Sequence, residues 1–268
     1  MTPEEKLTKL KVSLKKIDSA IVAFSGGVDS TFLLYMAQQL LGASVLAVTF
    51  DSCIHSRRDI DQAQELAVYL NVKHQLLRNE SLLENEEFMA NPPERCYICK
   101  LIMMSRLKEM AAEMGIVTVM DGANADDLND FRPGMQATAE MGIKSPLQDL
   151  GLSKEDIRHL SRQKGLSVWD KPSSPCLCSR IPYNQAITVQ KLSQIEKGEE
   201  LLYNMGCEDV RLRHHGELVR VEVPRGKFKD LMEQETAAAI VKGLQTLGFH
   251  YVTLDLEGLR SGSLNELL

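Results

Sequence analysis

The sequence predicts an α/β fold: a parallel sheet with helices on both faces, followed by a small α+β domain. Three observations predict it. Apolar runs near 21–24, 45–50, 74–77 and 117–120 alternate with helix-period segments near 31–41, 57–70 and 96–114, the pattern of strands joined by crossover helices. A Gly-Gly turn joins the first run to the first helical segment. Beyond the Pro-rich stretch Lys171-Pro-Ser-Ser-Pro175 the alternation stops and shorter strands and helices take over.

Each element has its own signal. Ile21 to Phe24 is a short apolar run of the kind buried in a parallel sheet, and Thr31 to Leu41 continues from it with helical period. A further helix spans about Ser153 to Lys164. After Thr188 the spacing predicts a helix to about Met205, strands at Val210–His214 and Leu218–Val223, helical stretches from Gly226 to Leu247 and a last strand at Tyr251–Leu254. The domains expected are therefore 1–183 and 184–268. With 268 residues, 44% of them apolar, the chain is long enough to bury a core in each.

The segment Ser25-Gly26-Gly27-Val28-Asp29-Ser30 stands between a strand and a helix. Glycines there let the backbone turn its N–H groups into one concavity, and the helix adds the positive end of its dipole, so the turn suits a phosphate. No Gly-Lys-Ser/Thr follows, so the lysine of the commonest phosphate loop is missing. Asp121-Gly-Ala-Asn124-Ala-Asp126-Asp127 follows the strand ending at Met120, on the sheet edge where ligands bind. With Asp29 it can hold magnesium, which needs only one or two carboxylates when phosphates supply the rest; it can equally be an Asp/Asn-rich turn. Arg132, just beyond, is placed to offer positive charge to a leaving pyrophosphate.

The net charge of −6 argues against a broad nucleic-acid footprint, so no nucleic-acid partner is expected. The charged N-terminus has no apolar core of a signal peptide, and no run approaches the roughly 18 apolar residues of a membrane span. A cytoplasmic protein without membrane partners, forming a homo-oligomer, is the expectation. Six cysteines in such a chain point to metal or catalytic roles more than to disulfides. Cys176 and Cys178 lie in the Pro/Ser-rich loop. Together with Cys207 they could hold a 4Fe-4S cluster whose open iron carries an extra sulfide, or they could simply be packed thiols. Cys96 and Cys99, near the start of a helix, form a CxxC that reads as a redox pair or half of a metal site. Arg211 and Arg213 share one strand face, where they could clamp a phosphate or carboxylate or stand in solvent.

The SGGxDS segment resembles the PP-loop of ATP pyrophosphatases, which attach AMP to an oxygen and release pyrophosphate. Taken with Arg95-Cys-Tyr-Ile-Cys-Lys100, Asp121 to Asp127, Arg132-Pro-Gly134, Trp169-Asp-Lys-Pro172, Cys176-x-Cys-Ser-Arg-Ile-Pro-Tyr183 and Val210 to Gly216, nearly the whole chain resembles the LarE family of ATP-dependent sulfur transferases. That resemblance implies ATP and Mg2+ as cofactors. The implied substrate is a small nucleotide, pyridinium-3,5-biscarboxylic acid mononucleotide, thiolated on its carboxylates on the way to a nickel-pincer cofactor. One branch of the family sacrifices a cysteine matching Cys176, which becomes dehydroalanine. Cys178 and Cys207 make this chain resemble the other branch, in which three cysteines hold a 4Fe-4S cluster. By resemblance, Lys100, Arg180, Glu199, Arg211 and Arg213 are candidates for binding the substrate. A tRNA thiolase, an ammonia-using synthetase and a non-catalytic nucleotide-binding scaffold are the rival readings.

Overall fold

In the computed structural model, described for residues 1–78, 80–129, 133–260 and 262–264, the expected α/β architecture is present. The chain runs α1 (Pro3–Leu14), β1 (Ala20–Ala23), α2 (Val28–Leu41), β2 (Val45–Asp51), α3 (Arg57–Tyr69), β3 (Lys73–Arg78), α4 (Ser81–Glu84), α5 (Glu86–Met89), α6 (Arg95–Glu113), β4 (Thr118–Met120), α7 (Pro133–Glu140), α8 (Pro146–Asp149) and α9 (Lys154–Gln163). It continues with α10 (Val189–Asn204), β5 (Arg211–His215), β6 (Leu218–Glu222), α11 (Phe228–Met232), α12 (Gln234–Thr246) and β7 (Tyr251–Leu254).

Two compact units result, 1–85 with 94–174, and 86–93 with 175–268. In the first, the sheet order is β3-β2-β1-β4, all parallel, with Ala20 beside both Val45 and Thr118. Parallel strands covered on both faces become continuous apolar runs, which is why Ala20 to Val22 and Val45 to Phe50 are buried throughout. The core gathers Phe32, Leu33 and Leu34 of α2, Leu10 and Leu14 of α1, and Ile157 and Leu160 of α9 around them. Helix α1 has a clear local cause that the charged N-terminus obscured: Thr2 and Glu5 form a reciprocal capping box and Pro3 opens the first turn.

The second unit carries a three-stranded sheet, β5-β6-β7, antiparallel then parallel, against α10 and α12. Its core includes Leu202, Cys207, Leu212, Val219, Leu244 and Phe249. The short segment 86–93 belongs here because Asn91, at φ 61, donates its side-chain amide to the carbonyls of Pro182 (2.9 Å) and Gln185 (3.1 Å). Its own carbonyl accepts from Asn184 N–H at 2.9 Å.

Candidate functional site

The phosphate loop is built by the sheet edge beneath it. Phe24 N–H donates to the Val48 carbonyl (2.8 Å), and Thr49 Oγ1 donates back to the Phe24 carbonyl (2.6 Å), so the turn is fastened to β2 before it reaches the glycines. Gly26 has φ +70, and a Cβ there would stand 3.2 Å from Cα and Cβ of Ala63 on α3; both the conformation and the space require glycine. Ser30 Oγ donates to the Gly27 carbonyl (3.2 Å), accepts from Ser25 N–H (3.3 Å) and lies 3.1 Å from Ser25 Oγ. Gly27 caps the helix α2 without any side-chain hydrogen bond, which leaves the helix N-terminus open to an anion.

The loop after β4 meets this turn directly. Gly122 lies so close that a Cβ would be 2.8 Å from Ser30 N and 2.9 Å from Ser30 Cα. Asp121 Oδ1 accepts from Ser145 Oγ (2.7 Å) and Ala123 N–H (3.2 Å). Asn124 Oδ1 accepts from Asp126 N–H (3.0 Å), and Asp126 Oδ2 accepts from Lys154 N–H at the start of α9 (2.8 Å). Asp121, Asn124 and Asp126 therefore shape the turn. Asp29 is different: its Oδ1 is buried with no hydrogen-bond partner among the described residues. Its pKa is pushed up to about 6 by burial and by the Asp127 carboxylate, against the pull of Lys154, Asn124 and Arg158. A cation would relieve both causes, so Asp29 and Asp127 suit magnesium.

Lys100 stands on α6, its Cγ 2.9 Å from the Cβ position of Gly134 on α7. Its charge adds to burial in pulling the His55 imidazole down to about 4, which keeps that ring neutral; His55 Nδ1 lies 3.2 Å from Ser52 Oγ. Nothing in the sequence marked His55, an isolated histidine in the loop after β2. Arg132 lies outside the described residues.

The cysteine turn belongs to the second unit. Cys176, partly exposed, precedes the single turn Leu177–Arg180, in which Cys178 is fully buried. Arg180, 4% exposed, donates to the carbonyls of Pro175 (2.6 Å) and Cys176 (3.3 Å) and to Glu199 through Nε (2.8 Å) and Nη2 (3.0 Å). Arg213 donates to the Ser179 carbonyl (2.6 Å), to Glu222 (2.8 Å) and to Ser263 Oγ (2.8 Å). Glu199 also accepts from Leu212 N–H at 3.0 Å. Three residues carried over as substrate contacts thus spend their hydrogen bonds holding the turn that bears Cys176. Arg211, half-buried, has its pKa lowered by burial and by the neighbouring Arg180 and Arg213, a local excess of positive charge that an anion would offset.

Cys207 packs into the apolar core of its unit, where burial pushes its thiol pKa up. Among the described residues, no three Cys, His, Asp or Glu side chains form a group that could hold a metal ion. Of the thiols of Cys176, Cys178 and Cys207, only that of Cys176 is partly open to solvent. Cys96 is exposed and Cys99 Sγ lies 3.4 Å from Met103 Sδ.

Residues 19–184 match the family model described as queuosine biosynthesis protein QueC. The chain is 40% identical over 265 residues to the uncharacterized protein slr1717 of Synechocystis, covering 99% of this chain and 98% of that one. It is 37% identical to the pyridinium-3,5-bisthiocarboxylic acid mononucleotide synthase of Lactiplantibacillus plantarum, over 98% of this chain and 95% of that protein. The tRNA-specific 2-thiouridylase MnmA of Rickettsia felis is more distant, 26% identical over 61% of this chain. No described helix is long and apolar enough to cross a membrane.

Proposed function

This chain belongs to the LarE family, within the PP-loop fold that the queuosine-biosynthesis model describes, and from that premise we propose that it is an ATP-dependent sulfur transferase. Its substrate is a small pyridinium nucleotide bearing carboxylates, and its product the corresponding thiocarboxylate of the nickel-pincer route. The observation that carries this reading is the open glycine turn, with Asp29 buried beside it and unpartnered at Oδ1 among the described residues, in a chain that aligns over 98% of its length with a bisthiocarboxylate synthase.

The chemistry runs in two displacements. ATP lies with its phosphates in the Ser25 to Ser30 turn, and a magnesium ion held by Asp29 and Asp127 would neutralise charge on the pyrophosphate. A substrate carboxylate oxygen attacks the α-phosphorus, the bond to the β-phosphate bridging oxygen breaks, and pyrophosphate leaves. The resulting acyl-adenylate has AMP as a good leaving group, so a sulfur nucleophile can displace it at carbon. Lys100 would offset negative charge on the substrate. Cys176, the one of Cys176, Cys178 and Cys207 that is partly open to solvent, is the nucleophile in this reading. Its thiolate forms a thioester as AMP departs. Loss of the Cys176 Cα proton to a base then breaks the Cβ–S bond, releasing thiocarboxylate and leaving dehydroalanine.

The test is single-turnover reaction of anaerobically purified protein with ATP and the dicarboxylate nucleotide, measuring pyrophosphate, the mass of the Cys176 peptide, and iron with acid-labile sulfide. Acid-dependent pyrophosphate release is expected, with that peptide losing the mass of one hydrogen sulfide molecule. Bound iron and sulfide, lost in Cys176→Ala, Cys178→Ala and Cys207→Ala and accompanied by an intact Cys176 peptide after turnover, would replace the sacrificial step with cluster-borne sulfur. ATP binding without pyrophosphate release for any acid would sink the transferase reading.

A further inference from the structure

The phosphate loop lacks a lysine of its own, yet an ammonium reaches it from 145 residues downstream: Lys171 Nζ lies 3.5 Å from the Gly26 carbonyl oxygen. The same Nζ is 3.2 Å from Asp59 Oδ1 and 2.5 Å from Gln62 Oε1, both on α3, the helix that packs on Gly26 through Ala63. The segment is anchored from its other side. Arg158 on α9 donates to the carbonyls of Lys171 (2.8 Å) and Trp169 (3.1 Å), and the Arg162 guanidinium lies 4.8 Å above the Trp169 ring. Ser174 Oγ donates to Asp59 Oδ2 (2.7 Å), closing the stretch onto α3. Burial alone would raise the Asp59 carboxyl pKa, but Lys171, Ser174 and Ser56 hold it below its ordinary range, so the ion pair is intact at neutral pH.

This arrangement is more than a surface ion pair. The Lys171 side chain is only 16% exposed and sits at the rim of an anion turn, and two of its three acceptors are neutral oxygens. Phosphate oxygens are stronger partners for an ammonium than an amide or a peptide carbonyl. We propose that Lys171 is the phosphate-binding cation of this loop: in the ligand-free chain Asp59 and Gln62 hold its ammonium at the rim, and it transfers to the terminal phosphates of the nucleoside triphosphate. The group that a Gly-Lys-Ser/Thr loop carries within itself is thus supplied here by the Trp169-Asp-Lys-Pro172 segment.

The inference rests on the reading of Ser25 to Ser30 as the ATP turn, and calorimetry on the full chain separates the two. Mg·ATP, Mg·pyrophosphate and AMP are titrated into the wild type and into Lys171→Met, Lys171→Arg and Asp59→Asn. Loss of one charge-assisted contact corresponds to about ten-fold or more in affinity. The expected result is that Lys171→Met weakens ATP and pyrophosphate by about that factor and leaves AMP within about two-fold. Lys171→Arg recovers part of the loss, and Asp59→Asn binds ATP as well as or better than wild type, its amide oxygen still accepting from Ser174. Equal weakening of AMP and ATP would make Lys171 a strut of the fold, and unchanged ATP affinity in Lys171→Met would remove its role; either overturns the inference and leaves the ATP site standing. No ATP binding by the wild type overturns the loop reading and the inference together.

Discussion

Asp29 and Gly122 are two residues whose substitution separates the needs of folding from those of the site. Asp29 titrates near 6 in the folded chain against 3.8 for a free side chain, so ionisation works against folding. The stability lost on ionising is fully present below about pH 4 and disappears as pH rises through 6. Asp29→Asn is therefore expected to raise the ligand-free chain's stability at pH 7.5, by up to roughly 2–3 kcal/mol, with the gain gone at pH 4 and nucleotide turnover abolished. Chemical denaturation at the two pH values checks the sign: a gain that persists at low pH would mean the carboxylate is not the strained group. Gly122→Ala is a sharper perturbation than any exposed loop change, because its Cβ would meet backbone atoms of Ser30 at 2.8 and 2.9 Å. It is expected to cost about 1–3 kcal/mol in a thermal melt and to weaken ATP binding strongly, while Gly142→Ala, with nothing within 4 Å of its added Cβ, should change only the melt, through its φ of +66.

Among the elements, α9 supports the phosphate loop of the first unit and the β5–β6 pair supports the cysteine turn of the second. Ser153 and Asp156 cap α9 reciprocally, and Asp156 also takes Lys6 of α1 at 2.6 Å, tying two helices of the first unit together. Because α9 carries Lys154, Arg158 and Arg162 toward the phosphate loop and the Lys171 segment, its fraying would be felt there. Ser153→Ala is expected to lose about 1 kcal/mol and to reduce ATP affinity modestly, measured by urea unfolding and calorimetry. On β5 and β6, Arg213 and Glu222 are paired with side chains 5% and 1% exposed. Removing one partner strands a buried charge, so Glu222→Ala should cost about 3–5 kcal/mol and make the Cys176 thiol react faster with an alkylating probe as the Ser179 tie loosens. Unchanged alkylation would show that Arg180 alone holds the turn.

At the scale of the molecule, each unit has its own core and its own sheet, but the second is not a contiguous stretch of sequence. Residues 86–93 close it: Met89 accepts from Ile187 N–H (2.8 Å) and Asn91 satisfies the carbonyls around Pro182. A fragment 175–268 leaves those groups without partners and is expected to melt at a lower temperature and over a broader range than the same unit does within the full chain. A cooperative transition in the fragment would show that the segment is dispensable. The alternation of apolar runs and helical periods made the first unit's strands and α2, α3, α6 and α9 legible to within a residue or three, because a doubly covered parallel sheet demands near-continuous apolar strands. The strand expected from Val210 runs instead from Arg211 to His215, and the helical stretch after Gly226 divides into α11 and α12 at Glu233. The phosphate turn was readable for the same local reason: Gly26 and Gly27 announce their backbone geometry in their own identity. What lies far apart in sequence was not readable. Arg180, a ligand candidate by resemblance, and Arg213, a candidate from its strand face, donate hydrogen bonds to the cysteine turn. Cys207 shares a composition with Cys176 but lies in a core, and Lys171 reaches a loop 145 positions away. Local propensity and periodicity act over a few residues, so the sequence by itself determined the sheet, its helices and the anion turn. Burial, charge pairing and the distance between side chains are properties of packing, so only the tertiary structure decided which of Cys176, Cys178 and Cys207 is open to solvent, which carbonyls and carboxylates Arg180 and Arg213 hold, and which lysine stands beside the phosphate turn.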